Sequence, residues 1–157
     1  MVKKLYLAVI ISLTFSYGSI ANDDIGYKYY EKGLYDKAFK IWSKEIRHGN
    51  KEAMYNMGLL YYFGKGVTRD LEMAFMYCEK AAFKGSPRAQ NNLAFMYMEG
   101  LGTKKSYISA YAWSIIAINN GYRSHGLRDD AKINLTPAML NDANKLSAKI
   151  NKEIQYE

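Results

Sequence analysis

Residues 50–66 read NKEAMYNMGLLYYFGKG, and residues 86–102 read SPRAQNNLAFMYMEGLG. The second stretch matches the first at a shift of 36 residues, and the match extends in both directions. The residues in step are Ala38, Ala74 and Ala110; Gly49, Gly85 and Gly121; Ala53 and Ala89; Asn56 and Asn92; Tyr61 and Tyr97; Gly64 and Gly100; and Gly66 and Gly102. A period in this range is typical of a repeat protein, in which each unit buries its apolar face against its neighbours. Such a fold favours a binding surface over a catalytic pocket.

Each repeat reads as two helices joined by a glycine turn. Asn50 can cap a first helix, and Gly64 and Gly66 can end it because both tolerate a positive φ. Asp70 can cap a second helix. The apolar positions of the first helix recur at spacings of three and four: Ala53, Met57, Leu60 and Tyr61. In the following repeat the same start signals are Ser86, Pro87 and Ser106. The sequence therefore predicts an all-α fold.

The repeats resemble known families. Residues 26–38 have the spacing G-x-x-Y-Y-x-x-G-x-Y-D-x-A, which resembles the tetratricopeptide repeat. Residues 53–74 read A-x-Y-N-M-G-L-L-Y-Y-F-G-K-G-V-T-R-D-L-E-M-A, and this unit and the next resemble the Sel1-like repeat, a relative with a longer glycine loop. The resemblance covers about Asp23 to Gly121. It implies a right-handed α-solenoid of helix-turn-helix repeats.

The amino terminus has the pattern of a secretory signal peptide. A basic start with Lys3 and Lys4 precedes an apolar run from Leu5 to Phe15, and Ser19 and Ala21 form a small-x-small cleavage site. We expect residues 1–21 to be removed. The apolar run is about half of the roughly 20 residues that a spanning helix needs, so we expect no stable membrane anchor after cleavage. The expected location is the periplasm, or the medium if the protein is secreted.

Residues 22–157 are then predicted to form one α-solenoid domain. The predicted repeats cover about 23–49, 50–85 and 86–121, and a carboxyl-terminal cap covers 122–157. The last helix is expected to run from Thr136-Pro137 to about Glu153, with one apolar stripe. A solenoid needs such an end piece to cover its last apolar face.

The net charge of the chain indicates which class of partner to expect. The whole chain has a net charge of +7; removal of Lys3 and Lys4 leaves 20 basic and 15 acidic residues, or +5. The basic residues are scattered over loops and helix ends, which favours a solvated rim over nucleic-acid binding.

The single cysteine, Cys78, cannot form an intramolecular disulfide, and its apolar neighbours predict a buried structural role. The fold must then be stable through packing alone.

The resemblance to tetratricopeptide arrays implies that the first helix of each repeat lines a concave, aromatic groove. The residues predicted to contact a partner there are Tyr27, Tyr30, Tyr55, Leu59, Tyr62, Phe63, Arg88, Asn91, Phe95 and Met98. We expect the groove to be centred on Tyr30, Tyr62 and Met98. An aromatic stripe at helical spacing is more often core, and Phe63 and Phe95 in particular are candidates for packing between repeats.

Motifs for catalysis, cofactors and metals are weak. The segment from Gly64 to Thr68 superficially resembles a phosphate loop, but it has no glycine at the required spacing and no preceding strand, so we interpret it as a helix terminator. His48 and His125 are isolated in the sequence, and no pair of Cys or His residues has metal-ligand spacing. We expect no enzymatic activity, no cofactor and no metal.

The sequence thus predicts an exported module that binds another protein, such as a periplasmic adaptor or regulator. Small exported members of the resembled family also serve as immunity proteins against secreted antibacterial effectors such as type VI secretion toxins. A third hypothesis is a cell-wall glycan-binding module, because aromatic faces also stack on sugars. A secreted factor that acts on host cells would have the same fold and signal.

The repeat pattern makes a direct physical prediction. The purified chain should give a mainly helical far-ultraviolet circular dichroism spectrum and one cooperative thermal transition. A large β signal would contradict the repeat interpretation.

Overall fold

Between Asp24 and Gln155, the part of the chain that the computed structural model describes, the backbone forms eight α-helices and no strand. They are α1 Ile25–Glu31, α2 Tyr35–Ile46, α3 Lys51–Phe63, α4 Leu71–Phe83, α5 Pro87–Glu99, α6 Tyr107–Asn119, α7 Gly126–Lys132 and α8 Pro137–Gln155. The prediction of an all-α fold is confirmed. The predicted signal peptide, residues 1–21, lies outside the described residues.

Five of the helices, α3 to α6 and α8, begin at residues that the sequence marks as caps. The Asn50 side chain accepts hydrogen bonds from the backbone N–H groups of Glu52 and Ala53, at 2.9 and 3.1 Å. The other predicted caps each accept from a backbone N–H three residues ahead: Asp70, Ser86, Ser106 and Thr136. Such bonds satisfy N–H groups that have no partner within their own helix, at about 1 kcal/mol each.

The helices pack in sequential pairs. Helices α1 and α2, α3 and α4, and α5 and α6 form three pairs, and these lie within the three predicted repeats. The second helix of one pair packs on the first helix of the next, α2 on α3 and α4 on α5. Helices α7 and α8 both pack against α6. The described chain is thus a short stack of repeats followed by two terminal helices.

The core divides into two clusters. The larger spans α3 to α8 and is rich in alanine; the smaller surrounds Trp42, which is 1% exposed, and joins α1, α2 and α3. The Trp42 indole N–H lies 3.2 Å from Oδ1 of Asp24, and the Asn56 amide donates to the other oxygen at 3.3 Å. Asp24 also caps α1 by accepting from Tyr27 N. One carboxylate therefore links the first three helices.

Stacking of the repeats depends on the second glycine of each Gly-x-Gly loop. An added Cβ at Gly66 would lie 2.7 Å from Cβ of Tyr35, the first residue of α2. At Gly102 an added Cβ would overlap the carbonyl oxygen of Leu71, the first residue of α4. Both glycines have a positive φ, +70° and +66°. Each loop therefore presses its backbone on the start of the second helix in the preceding repeat, where a side chain has no room.

Substitution of Gly102 should therefore separate neighbouring repeats. We expect Gly102→Ala to lower the free energy of unfolding by about 3 kcal/mol or more, through left-handed strain plus overlap with the Leu71 backbone. The matched control is Gly49→Ala, which has φ +78° and no atom within 4 Å of the added Cβ. It should cost only about 1 kcal/mol. Urea denaturation measures both, and equal losses would contradict the close-packing role.

Candidate functional site

The candidate site is the surface of the first helices, α1, α3 and α5, which carry all ten predicted contact residues. Six of these side chains are half-buried and reach the surface: Tyr27, Tyr30, Leu59, Tyr62, Phe63 and Arg88. We call these six the first-helix face. The structure brings the three helices together through side-chain hydrogen bonds that join each repeat to the next. That the face contacts a partner stays a prediction.

Burial argues against the other four predicted residues as direct contacts. Tyr55 is 3% exposed, Asn91 6%, Met98 7% and Phe95 9%, so they offer a partner little surface. Three of them lie on α5, which packs against α4, α6 and α7 and therefore keeps little solvent-facing surface. Met98, which was expected near the centre of the groove, is instead part of the hydrophobic core. Phe95 was one of two candidates for packing between repeats, and it is buried. The other candidate, Phe63, is only half-buried.

Arg88 occupies the polar part of the first-helix face. Its Nη2 lies 2.7 Å from Oε2 of Glu52, and its guanidinium carbon lies 5.6 Å from the Tyr55 ring centroid. The Ser86 hydroxyl donates to the other Glu52 oxygen at 2.9 Å. Both charged side chains remain more than one-third exposed, so the pair contributes little to stability. Its main effect is to hold the guanidinium near the Tyr55 ring.

Two further tyrosines lie within electrostatic reach of Arg88. Burial raises the pKa of Tyr27 and of Tyr122, and the positive charge of Arg88 acts in the opposite sense on both pKa values. Tyr122 was not among the predicted contact residues. It occupies the same repeat position as Ser86, 36 residues earlier, so the period could have pointed to it. Arg88 thus sits among tyrosines from α1, α3 and the segment after α6.

An apolar cleft opens beside this polar centre, between α3, α4 and α5. Its volume is about 30 Å³, and its lining residues are Tyr55, Gly58, Leu59, Tyr62, Phe63, Ala74, Cys78, Asn92, Phe95 and Met96. Gly58 lets α3 approach α4 closely at the cleft, since an added Cβ would lie 3.2 Å from the Ala74 carbonyl oxygen; the next repeat has Ala94 at this position. The cleft can hold one small apolar group. Ligand pockets for whole small molecules are about ten times larger.

Lys65 closes the other end of the first-helix face. Its Nζ donates to the Tyr30 hydroxyl at 2.9 Å and lies 4.5 Å from the Tyr30 ring centroid. This hydrogen bond raises the pKa of Lys65. Gly64 adopts φ +67° and ends α3, so the prediction of a helix terminator is confirmed. The lysine therefore joins the second repeat to the first and is already engaged by Tyr30.

The described residues contain little else that could do chemistry. No group of three or more His, Cys, Asp or Glu side chains between Asp24 and Gln155 could hold a metal ion. Cys78 is 3% exposed, as predicted, and its thiol donates to the Ala89 carbonyl at 3.2 Å. Burial, with a smaller effect of Glu79, raises the pKa of the Cys78 thiol. Among the helices described, none is long and apolar enough to cross a membrane.

Helix pairs stacked in series, with side-chain bonds across the first helices, define an α-solenoid repeat protein. A model of the Sel1 repeat matches residues 7–36, 51–86 and 87–122, which together make up more than half of the chain. The protein belongs to the Sel1 repeat family. The second and third matches agree with the predicted repeats to within one residue. The first begins inside the predicted signal peptide and covers only the start of the predicted first repeat.

Solved structures show the same fold. The chain superposes with a TM-score of 0.79 and 30% identity on c5321, a protective antigen present in uropathogenic Escherichia coli strains, described as displaying an SLR fold. The match covers 83% of this chain and 29% of that one. A Sel1 repeat protein from Oxalobacter formigenes gives a TM-score of 0.58 and 27% identity, over 75% and 54% of the two chains. The predicted solenoid is thereby confirmed.

Curated relatives are much longer proteins. The chain is 40% identical over 72 residues to the ERAD-associated E3 ubiquitin-protein ligase component HRD3A of Arabidopsis thaliana, across 45% of this chain and 11% of the relative. It is 42% identical over 73 residues to protein sel-1 homolog 2 of Mus musculus, across 46% and 11%. The chain thus spans about a tenth of the length of these relatives. Sel1 repeats are typically protein–protein interaction modules.

Burial of the thiol makes a chemical prediction. The raised pKa keeps the Cys78 thiol protonated at pH 8, and the small cleft admits no large reagent. We therefore expect the folded protein to react with Ellman's reagent only as fast as local or global unfolding exposes Cys78. Protein unfolded in guanidinium chloride should react at the rate of a free thiol. Fast reaction of the folded protein would show that the cleft is wider than the structure indicates.

Proposed function

We propose that this protein binds a partner protein on the first-helix face and performs no catalysis. The proposal rests on one observation: a small apolar cleft and an arginine surrounded by tyrosines lie side by side on the same face. Leu59, Tyr62 and Phe63 rim the cleft, and Arg88 lies on Tyr55 beside it. Tyrosine and arginine are enriched among the residues that contribute most to protein interfaces.

The geometry supports an anchored docking mechanism. A small aliphatic side chain of the partner fits the cleft, while the phenol rings around it provide contact area with few rotamers to immobilise. Arg88 can give its remaining N–H donors to a carbonyl or carboxylate of the partner while it keeps its bond to Glu52. A cleft of about 30 Å³ suits a side-chain anchor better than a substrate.

We further propose that the protein acts outside the cytoplasm, as an envelope adaptor or regulator. The basic and apolar pattern of residues 1–21 supports export. The solved relative from uropathogenic E. coli is described as a protective antigen. An immunity protein would use the same face but would bind a single effector tightly and at equal stoichiometry.

The test is a quantitative capture experiment. The bait is the protein in the form in which the cell expresses and processes it. The double variant Leu59→Ala, Tyr62→Ala removes two half-exposed side chains at the cleft. The matched control is Tyr107→Ala, because Tyr107 is also a half-buried tyrosine but lies on α6, a second helix. All variants should keep the helical circular dichroism spectrum. We expect an envelope or effector protein to be retained by the wild type and the control and lost, by tenfold or more, from the double variant.

Direct titration of the captured protein should follow. Purified partner should bind the wild type with a Kd of about 1 μM or lower, and Arg88→Ala should weaken binding about tenfold or more. Binding that survives the double variant unchanged would contradict the proposed face. Retention on purified peptidoglycan sacculi that Tyr62→Ala abolishes, with no protein captured, would instead favour the glycan-binding hypothesis.

A further inference from the structure

One side of α2 carries a row of cations. Lys37, Lys40, Lys44 and the C-cap residue Arg47 follow one another at spacings of three, four and three, which places them on one side of the helix. All four side chains are exposed, and none of them has an ion pair within residues 24–155. These residues are separated in the sequence, and the helix brings their charges together.

Aliphatic side chains accompany this row. Leu34, the N-cap residue of α2, is 42% exposed, and Ile41 is half-buried; both have helical spacing with Lys37 and Lys44. We call these six residues the α2 face: Leu34, Lys37, Lys40, Ile41, Lys44 and Arg47. Ile25, at the start of α1, is 54% exposed. Two of the three large hydrophobic side chains that are exposed among the described residues therefore lie in the first repeat.

The repeat fold does not require the charges of the α2 face. At a shift of 36 residues, the four cationic positions are Met73, Met76, Lys80 and Phe83 in the second repeat, and Ser109, Ala112, Ile116 and Asn119 in the third. A terminal repeat needs a polar outer face because no neighbour covers it. Polar cover requires neither one sign of charge nor exposed aliphatic side chains. The solvent side of α8 has mixed charge, for example, with Lys149 4.0 Å from Glu153.

The acidic side chains of the first repeat lie at the margins of the α2 face. Asp36 is in the first turn of α2, where the helix dipole favours a carboxylate. Glu31 ends α1, and after burial its charge is the next cause that raises the pKa of Tyr27, on the first-helix face. Glu45 is half-buried and accepts from the Asn50 amide at 3.3 Å. The exposed charged side chains of residues 25–47 are Lys28, Lys32, Lys37, Lys40, Lys44 and Arg47 against Glu31 and Asp36. Positive charge therefore predominates at this end.

We propose that the α2 face binds reversibly to the surface of a bilayer that contains anionic phospholipids. The lysine and arginine side chains would lie at the phosphate groups of the lipids, and Leu34 would reach the boundary between headgroups and acyl chains. Attraction of this kind falls off within a Debye length of the surface, so the contact is peripheral and weakened by salt. This inference does not depend on the first-helix face.

Two features favour a bilayer over a soluble acidic polymer or protein. The exposed aliphatic side chains gain nothing from a polyanion in water, whereas a bilayer can bury them. The expected signal peptide, residues 1–21, precedes α1 by three residues, so the first repeat is the described part of the chain nearest the membrane during export. None of the six residues lines the cleft of the first-helix face, so the α2 face is a separate surface.

The test measures how the protein, in the form in which the cell expresses and processes it, partitions onto vesicles in a flotation assay. One set of vesicles is phosphatidylcholine alone, and the other is an equal mixture of phosphatidylcholine and phosphatidylglycerol. The variant Lys40→Glu, Lys44→Glu reverses two charges of the α2 face. The matched control Lys145→Glu, Lys152→Glu reverses two equally exposed lysines on α8 and changes the net charge by the same amount. All proteins have the same amino terminus, so any contribution of that segment is common to them.

We expect the wild type and the α8 control to bind the anionic vesicles and not the neutral ones. Lys40→Glu, Lys44→Glu should weaken this partitioning about tenfold or more, with the helical circular dichroism spectrum retained. Leu34→Ala should weaken it about threefold, because it removes an aliphatic side chain from the boundary. High salt should release the wild type from the vesicles.

Three results would overturn the proposal. The first is equal partitioning of the wild type onto neutral and anionic vesicles. The second is an equal loss in the two double variants, which would mean that net charge alone determines binding. The third is binding to soluble polyglutamate that matches vesicle binding in strength, with no effect of Leu34→Ala on either. That result would identify a soluble acidic partner as the occupant of the α2 face.

Discussion

The close approach of each glycine loop to the preceding repeat is the contact on which the rest of the structure depends. The backbone at Gly66 lies on Tyr35, and the backbone at Gly102 lies on Leu71, 36 residues further along in both partners. No residue with a Cβ fits these positions without displacing a helix start. Because the same contact is made twice, the second repeat stacks on the first in the same way as the third repeat stacks on the second. The positions of α1, α3 and α5 follow from it.

Side chains then hold the first helices in that arrangement. Lys51 donates to the Gly85 carbonyl at 3.1 Å, Glu52 pairs with Arg88, and the Asn92 amide donates to the Tyr55 hydroxyl at 3.1 Å. Each bond joins residues 34 to 37 positions apart, so each links one repeat to the next. These bonds preorganise the surface, and a preorganised surface loses less conformational entropy on binding.

Local features of the fold could be predicted from the sequence, because their causes are local. A cap hydrogen bond joins residues two or three positions apart, so Asn50, Asp70 and Ser86 could be recognised without any tertiary structure. Burial could not be predicted in the same way. Met98 has helical spacing suited to a groove, but the packing of α6 and α7 around α5 removes it from solvent. Which face of a helix is covered depends on neighbours that the local pattern does not specify.

The first-helix face and the carboxyl-terminal helices differ in their relation to the repeat pattern. The first-helix face arises where the period is regular, and its cleft is lined in part by Gly58, where the next repeat has Ala94. The last matched glycine of the 36-residue period is Gly121, and beyond it α7 and α8 both pack on α6 and do not pair closely with each other. Repeats in a solenoid contact only their neighbours, so a distant end is energetically almost independent. Here α5 carries Arg88 of the first-helix face and also packs against α7, so this helix contacts both parts of the molecule.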